Sequence, residues 1–236
     1  MEKVSEIRSA IDELSMVVFN KVKPGDDHSG GGGAAIDEQK HNNSISASHN
    51  AHISTKPFLA VCNLLLQVLD KIGPTMAVFR QDIHQNIQRI EKLYESEPSV
   101  YSNLVEILKK EKVEGKARTG HSCSKAFVWL TRSLHFTVTL LQLLVEDLNR
   151  NLEQAVEESY NLTLKPWHGW ISSAAYKVAL KLVPDTECFI SLLMTKNETQ
   201  DLLKEEMCTF ISLCAPVLEE IHSVLKAYEL DRLRCT

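Results

Sequence analysis

Two short runs of polar residues in this chain have the spacing of a single helix face. Asp82, Asn86 and Arg89 stand at i, i+4 and i+7, beside the apolar line Ile83, Ile87 and Ile90. Lys125, Trp129 and Arg132 repeat the same interval inside a segment otherwise rich in Phe, Val and Leu. A third run, Trp167-His168-Gly169-Trp170, sets an imidazole between two indoles just after Pro166. Together these residues offer an acid, an amide, bases and an imidazole next to apolar surface. Fixed charges so placed need partners, and an ion-pair network between packed helices meets that need as well as a ligand does. Catalysis would require an activated nucleophile or a bound metal, and the sequence holds a recognisable motif for neither. No cofactor and no metal are therefore expected.

The elements that must position these residues read as helices throughout. Residues 2–20 place Val4, Ile7, Ile11, Leu14 and Val17/Val18 near a 3.6-residue repeat, which predicts an N-terminal helix within 1–23. Residues 24–55 hold five of the nine glycines and almost no large apolar side chain, so they cannot bury enough surface to offset ordering entropy. That stretch is expected to be a disordered loop insertion, and its irregularly spaced histidines (28, 41, 49, 52) read as solvated linker. Residues 56–236 form the remaining helical domain. Helices are expected over 58–72 (stopped by Gly73-Pro74), 76–94, 99–113, 122–149, 150–159, 168–182, 185–195 and 198–231, with a turn at "YNLTLKPW". Strand-like alternation is absent, so the fold class is all-α.

Composition narrows the function classes. The net charge of −5 argues against nucleic acid, whose binders usually carry a basic excess. The N-terminus has acidic residues among its first thirteen and no apolar core of a secretory signal, which points to a cytoplasmic protein. The longest apolar stretch, 136–145, is about half a membrane span, and a buried helix is the better reading. Six cysteines without a C-x-x-C pair read as reduced thiols, mostly core filler.

The motifs "DIHQNIQR" (82–89), "FVWLTRSL" (127–134) and "WHGW" (167–170), in this order and each on a helix, resemble the glycolipid transfer protein superfamily. The likeness extends over roughly 57–236, and the first helix, "EKVSEIRSAIDEL", is similar to the plant accelerated-cell-death branch, whose ligand is ceramide-1-phosphate. The resemblance implies a two-layer sandwich of about eight helices enclosing a lipid. It implies that Asp82 accepts from the sphingolipid amide N–H, that His168 donates to the amide carbonyl, and that Asn86 and Arg89 hold the headgroup. Such a bracket would satisfy the amide's donor and acceptor together. Trp170, with Trp167 beside it, is implied to dock on the membrane, since indole suits that interface.

Trp129 leaves the headgroup open. Glycolipid-binding members stack a sugar on tryptophan here, whereas phosphate-binding members have arginine at this place and one turn earlier, where this chain has Lys125. Lysine holds phosphate as a point charge, without arginine's bidentate fork. Arg132 matches an arginine of both branches and reads as a mainly structural charge near the site. The expectation is intermembrane transfer of ceramide-1-phosphate without catalysis, on a protein transiently associated with membrane. Glycosylceramide transfer is the alternative. A sphingolipid sensor with a regulatory protein partner, a hydrolase using Asp82 and His168, and a helical scaffold remain rival readings.

Overall fold

A computed structural model of the chain describes residues 4–20 and 51–234, with side chains described for 4–16 and from 51 onward. Residues 24–50 of the expected loop lie outside the described residues. Of its last five, 51–53 have no regular structure but are tied to the fold. Ile53 is buried, its N–H donates to Asn103 Oδ1 at 2.9 Å, and a helix begins at Thr55. One isoleucine aimed into the core is enough to seat this short segment, which corrects the boundary at 55.

The helices are α1 (Glu6–Asn20), α2 (Thr55–Ile72), α3 (Ala77–Ser96), α4 (Pro98–Tyr101), α5 (Leu104–Val113), α6 (Cys123–Glu146), α7 (Leu152–Thr163), α8 (Trp170–Leu180), α9 (Thr186–Leu193) and α10 (Gln200–Ala227). Single 3-10 turns at Pro74–Met76 and Lys165–Trp167 lie between them. The chain adopts the all-α class expected, with ten α-helices among the described residues where about eight were expected.

Local chemistry sets the boundaries. Gly73 stops α2 at φ +104°, a conformation that other residues rarely adopt, and Pro74 prevents resumption. The expected helix over 99–113 is cut in two because the Asn103 side chain leaves the helical pattern to accept from Val105 N (3.1 Å) and from Ile53 N. Helix α6 has a double cap: Ser122 Oγ accepts from Lys125 N, while the Glu111 carboxylate accepts from Cys123 N and Ser124 N at 2.8 and 2.7 Å. Among the described residues the β structure is a single isolated bridge, Ser54 to Asn103.

Packing runs as a closed circuit: α1 against α2, α2 against α3, α3 against α6, α6 against α10, and α10 back against α1. Helices α5 and α7 pack on α6, and α9 packs on α2. The circuit encloses a core that includes Phe58, Ile87, Phe127, Leu130, Met207 and Ile221. Two ionic ties hold α1 in place. Glu6 pairs with Lys71, which also donates to Leu192 O at 2.8 Å, and Glu206 accepts from Ser5 and Arg8. Helices α6 and α10 are long and apolar enough to cross a membrane by length and composition, but within the fold α6 turns Phe127, Leu130, Leu134, Leu141 and Leu144 into the core.

Candidate functional site

The α3 stripe forms one hydrogen-bonded chain. Asn86 is buried, and its Nδ2 donates to Asp82 O at 2.9 Å and to Asp82 Oδ2 at 3.4 Å. Arg89 Nη1 donates to Asn86 Oδ1 at 3.3 Å. Asp82 keeps over a third of its surface open, yet burial of its carboxyl is enough to raise the pKa, with the Arg89 charge pulling the other way. A carboxylate at the rim of an apolar wall, with one oxygen beside Asn86, is placed to accept from a further donor.

The second cluster gathers residues of α6, α7 and the turn before α8. The Arg132 guanidinium lies over two indole faces, 4.8 Å from the Trp129 centroid and 4.3 Å from that of Trp167. Its Nη1 and Nη2 donate to the carbonyls of Leu233 and Asp231 at 2.7 and 3.0 Å, and it is 5% exposed. The His168 ring lies 5.5 Å from Trp129 and 5.5 Å from Tyr160. Its Nδ1 is 3.3 Å from the Tyr160 hydroxyl, which also lies 3.3 Å from Ser173 Oγ. Burial, then Arg132, lowers the His168 pKa, which keeps the imidazole neutral at neutral pH. The Lys125 ammonium, one turn before Trp129, has no hydrogen-bond or ion-pair partner among the described residues, while its backbone N–H caps onto Ser122. The structure thus gathers Trp129, Arg132, Trp167 and His168 into one group and Asp82, Asn86 and Arg89 into another, on helices α3 and α6 that pack together.

The two tryptophans of the third motif separate. Trp167, for which docking beside Trp170 and packing against a neighbour were both open, is half-buried against Arg132, whose guanidinium, held by two carbonyls, offers its ring a fixed face. Trp170 is 82% exposed at the start of α8, next to Ile171 at 60%. Leu162, Val178 and Leu182 on the neighbouring turns are exposed as well, with Lys165 and Lys177 between them. Exposed apolar side chains grouped like this mark a contact surface.

A cavity of about 250 Å³ begins where the polar groups end. Phe79 and Ile83 flank Asp82 along α3 and line it; Ser133, one turn after Trp129, lines it on α6. Helix α2 supplies a wall of Leu64, Leu65, Val68 and Ile72, which are half-buried rather than buried because their inner face meets open space. Phe136 and Leu140 of α6, Phe189 of α9 and Phe210 of α10 complete it. The wall is almost entirely apolar, so it suits hydrocarbon and offers water few partners.

A family model described as glycolipid transfer protein matches residues 53–195. The chain belongs to the glycolipid transfer protein family. Glycolipid transfer protein 3 of Arabidopsis thaliana is 51% identical over 233 residues, covering 99% of this chain and 93% of the relative. Glycolipid transfer protein 2 of the same plant is 49% identical over 233 residues, covering 99% and 95%. Among solved structures, a substituted Arabidopsis accelerated-cell-death 11 protein complexed with C12 ceramide-1-phosphate superposes with a TM-score of 0.75. It has 16% identity and covers 97% of this chain and 98% of its own. The structure showing how FAPP2 selects simple glycosphingolipids superposes at 0.73, with 23% identity, covering 79% and 92%. These likenesses fix the glycolipid transfer protein fold.

Sequence reasoning missed four contributors to the site of this family member. Tyr160 holds the His168 ring, Tyr176 stacks on Tyr160 at 3.4 Å, and the carbonyls of Asp231 and Leu233 fasten Arg132. No local pattern announces any of them, since each contact depends on how separate helices come together.

Proposed function

We propose that this protein carries a sphingolipid between membranes, making and breaking no bond, and that the headgroup it prefers is a sugar. The observation that carries the reading is the apolar cavity, lined on α3 by Phe79 and Ile83, between which Asp82 stands in sequence, and on α6 by Ser133, one turn after Trp129. A two-chain lipid leaving a bilayer exposes methylenes at ~0.8 kcal/mol each, a barrier on the order of 20 kcal/mol. A cavity opening beside an exposed apolar surface replaces that exposure with continuous burial. Trp170 and Ile171 would enter the interface, and the protein would meet cytoplasmic membrane surfaces transiently.

In this reading Asp82 accepts from the lipid amide N–H and neutral His168 donates to its carbonyl. In the arrangement proposed, the Tyr160 hydroxyl turns its single proton to Nδ1 and accepts from Ser173 Oγ, which leaves the proton of His168 on Nε2 for that carbonyl. A sugar would lie on the part of the half-buried Trp129 ring that Arg132 leaves open, with Asn86 and Arg89 at its hydroxyls. Arg132 supports the sugar over a phosphate: it is 5% exposed, covered by two indoles, and directs one N–H of each terminal nitrogen to the Leu233 and Asp231 carbonyls. The names of the relatives at 51% and 49% identity agree with a glycolipid.

Ceramide-1-phosphate, the expectation from the first helix, is the second reading, favoured by Lys125 beside Trp129 and by the fold match to a protein complexed with that lipid. Vesicle-to-vesicle transfer separates the two. Glucosylceramide should move faster than ceramide-1-phosphate, and Trp129→Ala should slow glucosylceramide roughly threefold to tenfold while sparing ceramide-1-phosphate. The reverse pattern, with Lys125→Ala slowing ceramide-1-phosphate, would replace the sugar by a phosphate. Transfer of neither lipid would remove the carrier reading.

A further inference from the structure

Val61 belongs to two walls at once. It lines the 250 Å³ cavity and also a second cavity of about 20 Å³ whose open surface is apolar. The two cavities succeed one another along the inside of the helical circuit, one turn apart. On α1, Ala10 lines the first and Leu14, four residues later, the second. On α10, Phe210 and Cys214 make the same step. Only on α2 does one side chain face both, and Val61 is itself 2% exposed. Its isopropyl group is therefore the partition. Behind it, Phe58, Leu134, Leu218 and Ile221 close the smaller space.

We propose that Val61 sets the chain length this carrier accepts. The polar groups on α3 and α6 fix one end of the lipid at the rim, so the hydrocarbon extends to the inner walls, and a tail of full length ends against Val61. This inference rests on the sphingolipid-carrier reading and adds to it a residue that fixes chain length. The smaller cavity holds about one or two water-sized groups, and without polar lining it gives water nothing to bond. Removing the partition would turn it into an extension of the sleeve with room for about two more carbons. Each methylene newly buried is worth roughly fourfold in binding.

The test is transfer between phosphatidylcholine vesicles of glucosylceramides with saturated acyl chains from 12:0 to 24:0, with the same series in ceramide-1-phosphate alongside. Val61→Ala should lengthen the best-transferred chain by about two carbons and raise transfer of that longer lipid roughly fifteenfold relative to the unaltered protein, about fourfold for each methylene. Val61→Leu should shorten the best chain. Val217→Leu, which fills the smaller cavity without touching the main one, should leave the unaltered series in place and cancel the gain of Val61→Ala in the double variant. Should Val61→Ala fail to fold by circular dichroism, Val61→Leu decides: an unshifted series overturns the inference. An unshifted series in both single variants, with transfer intact, overturns the partition role and leaves the carrier reading standing. No transfer of any lipid by the unaltered protein overturns both.

Discussion

Asp82 carries its charge beside the apolar cavity, where the proposed lipid contact and the stability of the fold make opposite demands on it. Burial raises its carboxyl pKa, and Arg89 only partly offsets this. A carboxyl whose folded pKa lies above its unfolded value contributes its stability below the unfolded pKa, and that contribution is lost as pH rises through the folded one. At neutral pH the ionised group therefore weighs against the lipid-free fold. Asp82→Asn keeps the shape and removes the charge. In calorimetry the lipid-free variant should melt above the unaltered protein at pH 7, a gap that closes on acidification. Its transfer rate should fall by roughly tenfold or more, since a charged hydrogen bond to the lipid amide is worth about 1.5–3 kcal/mol. Asp82→Val, lacking any acceptor, should lose transfer altogether while keeping its helix content. A variant that melts lower yet transfers normally would reverse both roles. The Asp82, Asn86 and Arg89 chain was legible in sequence because helix geometry alone brings i, i+4 and i+7 together. The stack of Trp129, Arg132 and Trp167 was not, because it joins α6 to a turn beyond α7 and depends on the packing between them.

Between elements, the contact most sensitive to solution conditions is that of α6 with α10. His135 and His222 meet there edge to face at 5.2 Å, and His222 Nε2 is buried without a hydrogen-bond partner among the described residues. Burial lowers both pKa values, and His135 and Arg132 lower that of His222 further. A histidine whose folded pKa is depressed contributes stability above its unfolded value of about 6.5, lost as pH falls through the folded value. Acidification from pH 7.5 to 5 should therefore loosen α6 from α10. For a chain of this size each kcal/mol lost moves the melting midpoint by about 2–4 °C. The double variant His135→Phe, His222→Phe should show a visibly smaller fall in midpoint across that range than the unaltered protein; equal falls would place the pH sensitivity elsewhere. Helix positions were largely readable from apolar periodicity and from stops such as Gly73-Pro74. The break at Asn103 was not, since its cause is a contact with Ile53, far away in sequence, and residues 150–159 extend to Thr163 because the apolar stripe continues past the polar residues at 157–159.

For the whole molecule, the proposed carriage requires that a closed sleeve meet a membrane at one place, and the exposed apolar residues of α7 and α8, helices that also line the cavity, are the surface we propose for it. The family resemblance implied a lipid enclosure and a docking Trp170, but which side chains line the cavity could not be read from the chain, because Leu64, which lines it, and Leu66, which is buried in the core, look alike in sequence and differ only in which side of α2 faces open space. The pair Trp167 and Trp170 offers a sharp test of the distinction. Trp170 is anchored to nothing that holds the fold together, so Trp170→Ala should change the melting midpoint by no more than about 0.5 kcal/mol equivalent, as surface substitutions do. The indole it removes would have been buried in the interface, at about 1.5–3 kcal/mol, so binding to phosphatidylcholine vesicles should weaken roughly tenfold or more in a sedimentation assay. Trp167→Ala should do the opposite. It uncovers the Arg132 guanidinium that fastens the carbonyls of Asp231 and Leu233, so the midpoint should fall while vesicle binding by the folded fraction stays near that of the unaltered protein. If Trp167→Ala releases the protein from vesicles and Trp170→Ala melts it, the membrane-facing side of the molecule lies elsewhere than on α7 and α8.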